Sequence, residues 1–281
     1  MLVLAFDTAT PAVTVAVGDA GQVLAQRTVV DARRQGELLA VGIGEVLAEA
    51  GVTLGDLDAV AAGAGPGPYT GLRVGLVTAR VLGSALGVAA YGFCTLDIIA
   101  ADAVKAAAGR EFLVATDARR KELYWARYSA AGTRLSGSEV CAPAALPAGL
   151  PVAGEGAHAY PELLGEPLEP RYPSAATAAA WCAARLAAGE PLGPPDPLYL
   201  RRPDARVPGA PKSVLAAPAS SGASGGPRRS SPWVSATKAP ATESQRPQAS
   251  GGSRGVAPPG QHWPQASGAQ GSPPWVGTVT P

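Results

Sequence analysis

Histidine is almost missing from this chain: there are two, His158 and His262, and the second lies near the C-terminus. No His-x-x-x-His pair and no carboxylate cluster offers metal ligands, which excludes a zinc site of the usual spacing. Cysteine is scarce as well. Cys94, Cys141 and Cys182 are odd in number and widely spaced, with no Cys-x-x-Cys. That predicts free, buried thiols in a reducing compartment rather than a disulfide framework. No Ser or Cys has a base partner recognisable in the sequence, so nothing points to a nucleophilic hydrolase. Long apolar runs are lacking too. The longest uncharged stretch of the apolar part, Val81 to Leu96, is about 16 residues against the roughly 20 a membrane helix needs. The uncharged stretch after Gly255 is too rich in Pro, Gly and Gln for such a helix. No basic region precedes the first apolar stretch and Asp7 interrupts it, so no signal peptide is expected. The expectation is a soluble, cytoplasmic protein.

What is present divides at about residue 206. The first 206 residues are rich in Ala, Val and Leu and are long enough to bury a core. The remaining segment holds six of the 23 basic residues but only one of the 22 acidic ones, Glu243. The first part is therefore net acidic. Phosphate contacts dominate nucleic-acid affinity, so an acidic body argues against direct nucleic-acid binding by this chain alone. Residues 207–281 are dominated by Pro, Gly, Ser and Ala. Pro247-Gln248-Ala249-Ser250-Gly251 recurs as Pro264-Gln265-Ala266-Ser267-Gly268, and Pro-Trp-Val occurs at 232–234 and 274–276. Such a composition cannot bury enough apolar surface to offset its ordering entropy, which predicts a disordered tail. Its basic charge and three tryptophans leave two readings open, contact with RNA or a partner and a dispensable extension.

Hydrophobic patterning predicts strands over 2–6, 12–17 and 23–29, a helix over 35–50, and a strand over 58–62. The Gly63-Ala64-Gly65-Pro66-Gly67-Pro68-Tyr69-Thr70-Gly71 loop follows, then a helix over 72–86. Thr70 is a candidate N-cap, and the loop would leave backbone N–H groups open to an anion or a partner's acceptor. It is neither a Walker A loop, for want of Gly-Lys-Ser/Thr, nor a dinucleotide fingerprint, for want of the third glycine. A tight strand-to-helix connection is the alternative reading. A short strand at 88–91 and a helix over 95–107 follow. The pattern then restarts with strands at 112–116, 123–128 and 134–141, a strand-to-turn junction at 152–156, and a helix over 177–188. A strand closing on an Asp-led turn opens each half. This duplication predicts an α/β fold of the actin/hexokinase-like class, two lobes of mixed sheet with packed helices. The lobes would span 1–108 and 109–206.

Four strings resemble the TsaB (YeaZ) family. The glycine loop with Leu72-Arg73-Val74-Gly75 resembles that family's GPGSFTGLRIG, and Leu4 to Pro11 resembles ALDTATP. Asp117 to Trp125 is similar to DARRGEVYW, and Pro197 to Arg201 matches P-x-YLR. The resemblance covers almost all of residues 1–206 and none of the tail. It implies RNase H-like lobes and a subunit of the machinery that makes N6-threonylcarbamoyladenosine at tRNA position 37. It implies TsaD as heterodimer partner, TsaE as a further component, and tRNA contact only through the complex. Whether the chain forms a homodimer when TsaD is absent is left open by the sequence. TsaD resembles this fold but holds a metal through histidines that are missing here. Gln35 stands where relatives often carry His. The implied role is a non-catalytic scaffold with no essential cofactor.

Two sets of candidate residues follow. Asp7 and Asp117 end the opening strands of the two halves, where actin-like kinases place carboxylates for a nucleotide-bound metal. With Thr8, Gly65, Gly67, Thr70 and Arg119 they form a candidate nucleotide- or anion-binding set, and a phosphotransferase is the alternative function. Against it, each Asp could cap its own turn, and Asp7-Thr8-Ala9-Thr10 lacks the glycine that admits phosphate. A metallopeptidase is a third reading that the histidine poverty disfavours. The second set is a pair of small-residue ridges, Gly36, Ala40, Gly44 and Ala48 in one helix and Gly71, Gly75, Ala79 and Gly83 in the next. Ridges of this kind let helix axes approach closely, on the chain's own sheet or on a partner. The implied association with TsaD favours a partner interface.

Overall fold

The structure, a computed structural model, describes residues 1–200. The expectations for residues 207–281, and for Arg201 of the closing motif, lie outside the described residues. Strands β1 (Val3–Asp7), β2 (Ala12–Gly18) and β3 (Val23–Val30) form an antiparallel meander. Helix α1 (Gln35–Ala50) leads to β4 (Ala59–Gly63), which pairs parallel with β1. Helix α2 (Tyr69–Leu86) then leads to β5 (Ala89–Phe93), parallel to β4. The sheet order is β3-β2-β1-β4-β5.

Helix α3 (Thr95–Ala107) precedes β6 (Phe112–Asp117), β7 (Leu123–Tyr128), β8 (Glu139–Cys141) and β9 (Val152–Ala153). The second sheet runs β8-β7-β6-β9, again with an antiparallel and a parallel neighbour on its opening strand. Short helices α4 (Glu155–Ala159) and α5 (Pro161–Leu164) and the longer α6 (Ala175–Ala187) complete the described part. This repeated mixed sheet is the actin-like α/β architecture expected from the sequence. No helix among the described residues is long and apolar enough to cross a membrane.

Strand alternation decides the layers. Leu4 and Phe6 face one side of the first sheet, where Leu39, Ile43 and Val46 of α1 and Leu72 and Leu76 of α2 cover them. Val3 and Ala5 face the other side, against Ala175, Ala178, Ala179, Cys182 and Ala183 of α6. Alanines there let the helix lie close to the strands. So α6, although it follows the second sheet in sequence, packs on the first; sequence order alone placed it in the second lobe. Helix α3 serves both sheets, with Ile98 in the first core and Leu96, Ile99 and Ala103 against Phe112 and Tyr128 in the second.

The β6–β7 turn is strained. Arg119, Arg120 and Lys121 have φ of 63°, 56° and 62°, the left-handed region that costs a side-chain-bearing residue roughly 1–2 kcal/mol. Lys121, exposed, stands where the DARRGEVYW string has glycine. Lys121→Gly is therefore expected to stabilise the chain by about 1 kcal/mol in urea unfolding. A loss of stability would show that the lysine side chain holds the turn.

Candidate functional site

The glycine loop closes onto the end of β1. Asp7 is buried, and its Oδ1 accepts the Ala9 N–H at 2.6 Å while its Oδ2 accepts the Thr95 hydroxyl at 2.7 Å. A Cβ at Gly63 would fall inside the Asp7 carboxyl group, and one at Gly67 would overlap the Ala9 carbonyl oxygen. Gly65 takes φ of 94° and its carbonyl accepts the Thr95 N–H at 2.8 Å. The Thr8 hydroxyl donates to the Gly71 carbonyl at 2.7 Å, and Gln35 Nε2 donates to the carbonyls of Thr8 and Thr10 at 3.0 and 2.9 Å. Loop, strand end and the starts of α1, α2 and α3 are thus tied by hydrogen bonds among themselves. Asp7 is only 1% exposed, and each of its carboxylate oxygens accepts a bond from within the chain.

Asp7, Thr8, Gly65 and Gly67 do come together, but as a closed junction. Thr70 lies away from it. The α2 cap is Pro68, with no side-chain cap bond, and Thr70 is an exposed residue inside the first turn. The expected Thr70 cap is corrected: the helix begins earlier because Pro68 supplies the extended φ, ψ pair before Tyr69. Asp117 caps its own turn, with Oδ1 accepting the Arg119 N–H at 2.8 Å and Oδ2 paired with the Arg119 guanidinium at 3.2 Å. No group of three metal-ligating side chains occurs among the described residues.

Burial pushes the Asp7 carboxyl up from its ordinary 3.8 to about 6, against the opposing hydrogen bonds from Ala9 and Thr95. The linkage sign is fixed by that direction. The protonated form is favoured in the folded state, so the stabilisation is present below about pH 4 and is lost as pH rises through about 6. Going from pH 7 to pH 5 should therefore stabilise the chain by about 1 kcal/mol relative to Asp7→Asn, a near-isosteric variant without the titration. Paired urea titrations at the two pH values measure this; a difference that does not change with pH would contradict it. Burial likewise pushes the Cys94 thiol up to about 11 and Cys182 up to about 12, so both remain protonated packing groups. Cys141 is only partly buried, unlike the expectation for all three.

The two ridges part company. Gly71, Gly75, Ala79 and Gly83 are buried. A Cβ at Gly75 would sit 2.7 Å from the Thr8 hydroxyl, and one at Gly83 would sit 2.9 Å from Ala90 Cβ. This row packs on the chain's own strands, so the expectation that these four meet a partner is corrected. Gly36, Ala40, Gly44 and Ala48 are all exposed, and a Cβ at Gly36 or Gly44 would meet nothing within 4 Å. Both helices also expose apolar side chains that the sequence reading missed. Val41 is 53% exposed on α1, and Val77 and Val81 are 57% and 59% exposed on α2, with Tyr69 at 47% at the helix start. The signal was available: Val77 and Val81, one turn apart, lie off the Leu72–Leu76 stripe that faces the sheet.

Comparison with known proteins agrees with this architecture. The family described as TsaD: tRNA N6-adenosine threonylcarbamoyltransferase matches residues 23–166, about half of the chain. An uncharacterized protein of Mycobacterium tuberculosis strain H37Rv is 45% identical over 210 residues, 73% of this chain and 93% of that protein. The solved structure of YeaZ from Pseudomonas aeruginosa superposes with a TM-score of 0.62 at 27% identity, covering 71% of this chain and 99% of YeaZ. The tRNA threonylcarbamoyladenosine biosynthesis protein TsaB of Escherichia coli is 35% identical over 128 residues, 46% of this chain and 55% of TsaB. The chain belongs to the TsaB (YeaZ) family.

Proposed function

We propose that this TsaB-family chain is a non-catalytic subunit in N6-threonylcarbamoyladenosine biosynthesis, binding and stabilising TsaD through the outward faces of α1 and α2. The observation that carries the reading is that α1 and α2 both expose apolar side chains, Val41 on α1 and Val77 and Val81 on α2, and that the Gly36-Ala40-Gly44-Ala48 row of α1 is open. Exposed apolar side chains offer a partner burial, and a row without bulk offers it close approach. TsaD carries out the transfer to tRNA in this reading, TsaE assists, and tRNA is met through the complex. Without TsaD the same face pairs with a second copy. The self-sealed Asp7 junction and the self-capped Asp117 turn favour a scaffold over a phosphotransferase. Calorimetry with Mg-ATP separates the two: no heat at about millimolar nucleotide is expected, and saturable binding lost in Asp7→Asn would favour the enzyme.

A further inference from the structure

The segment after α6 returns to the first lobe. The Gly92 N–H donates to the Gly193 carbonyl at 2.9 Å, and the Leu198 N–H donates to the Ala64 carbonyl at 2.8 Å. Asp196 pairs with Arg80 of α2, and the Tyr199 ring lies 5.5 Å from that of Tyr69. Between this segment and α2 lies a hollow of about 150 Å³, walled by Arg73, Val77 and Arg80 on one side and Pro195, Pro197 and Tyr199 on the other. A cavity of about this volume holds one ring-sized group.

The charged side chains of α1 and α2 are nearly all matched within the chain. Glu45 and Glu49 pair with Arg27, Glu37 pairs with Arg34, and Arg80 pairs with Asp196. Arg73 differs. Its guanidinium lies 4.2 Å from the centre of the Tyr69 ring, and no carboxylate partner is recorded for it among the described residues. Tyr69, itself held by Tyr199, fixes that guanidinium at the lip of the hollow, next to the exposed Val77.

We propose that this hollow is the anchor pocket of the partner surface, and that it takes a carboxylate with one neighbouring apolar side chain from TsaD. The inference rests on the proposed function and deepens it: the closing Pro197-Leu198-Tyr199 string becomes part of the interface. An orienting ring and a cation without a counter-charge call for an anion, and the proline and tyrosine walls call for an apolar group beside it. One uncompensated cation on an acidic body suits a protein carboxylate better than an RNA backbone, which needs several.

Titration calorimetry of the full chain against TsaD tests this. The variants are Arg73→Glu, Arg73→Gln and Tyr199→Ala, with Lys105→Glu on α3 as a control off this face. Arg73→Glu is expected to weaken binding by about 100-fold or more, Arg73→Gln and Tyr199→Ala by about 10-fold, and Lys105→Glu by less than about twofold. Between about 50 and 300 mM salt, the wild-type affinity should fall more than that of Arg73→Gln. All three positions are at the surface, and thermal melts check that each variant folds. If wild type binds and both Arg73 variants bind equally well, the pocket assignment is wrong while the scaffold reading stands. Loss of self-association or of tRNA binding with TsaD affinity intact would assign the pocket to another occupant and overturn the proposal. No binding of wild type to TsaD would remove the scaffold reading itself.

Discussion

Val77→Glu combined with Val81→Glu should abolish association with TsaD while leaving the chain folded. Both valines are more than half exposed on the outward face of α2, so replacing them removes little of the chain's own packing. Glutamate is also a better helix former than valine, and the monomer should stay within about 0.5–1 kcal/mol of wild type. In a closed interface the same two carboxylates would be stripped of water without partners. That costs several kcal/mol, and a loss of about 4 kcal/mol corresponds to about a thousandfold in affinity. Size-exclusion chromatography with TsaD, beside a thermal melt of the variant alone, reads both halves of the prediction. A variant that co-elutes with TsaD as wild type does would move the interface elsewhere.

The second large effect falls inside the first lobe. Gly63→Ala is expected to destabilise the chain by about 3 kcal/mol or more, a large share of the 5–15 kcal/mol typical of a domain. The new methyl would occupy the position of the Asp7 carboxyl group, which cannot swing away without breaking its bonds to Ala9 and Thr95. Strand β4 cannot shift either, since it pairs with β1 and β5 on its two sides. In an Asp7→Ala background the same substitution should cost much less, because the clashing atoms are gone. Urea unfolding of the four proteins in that cycle measures the coupling. Additive costs would show that the closeness of Gly63 and Asp7 carries no energy. By the same packing logic, Gly75→Leu would collide with Thr8 and destabilise the fold rather than probe an interface.

Much of the fold was legible in the sequence because burial imposes simple periods. Helices α1 and α3 and strand β7 fall where the apolar spacing put them, and the strands of the first sheet shift by one or two residues at their ends. The start of α2 was harder, since Pro68 can precede a helix as readily as interrupt a loop. The third strand of the second sheet contracts to Glu139–Cys141, with only an isolated bridge between Tyr128 and Arg134 before it. Placement of α6 could not be read at all, because an alanine-rich helix carries no mark of which sheet it will cover.

The candidate site was legible in its parts and not in its arrangement. Asp7, Thr8, Gly65 and Gly67 lie together in the fold, yet the sequence could not tell a phosphate cradle from a junction that fills itself. The two small-residue ridges have the same period, and only their neighbours distinguish them. Leu72 and Leu76 adjoin the α2 row and turn it to the sheet, whereas in α1 the core positions Leu39, Ile43 and Val46 leave the row Gly36 to Ala48 in the open. Gln35 shows the same limit. Its sequence position marked a departure from a family habit, while its role as a clamp on the Thr8 and Thr10 carbonyls needed the fold.

The central claim, that the chain acts by holding TsaD and not by chemistry of its own, is tested most directly by reconstitution. Purified TsaD and TsaE would be given tRNA, ATP and the other substrates, with no added chain, with wild type, or with the Asp7→Asn/Asp117→Asn double variant, and modified adenosine would be quantified. The scaffold reading predicts product only when the chain is present and equal product with the double variant. A double variant that still binds TsaD but yields no modified adenosine would contradict it and return the two aspartates to a chemical role.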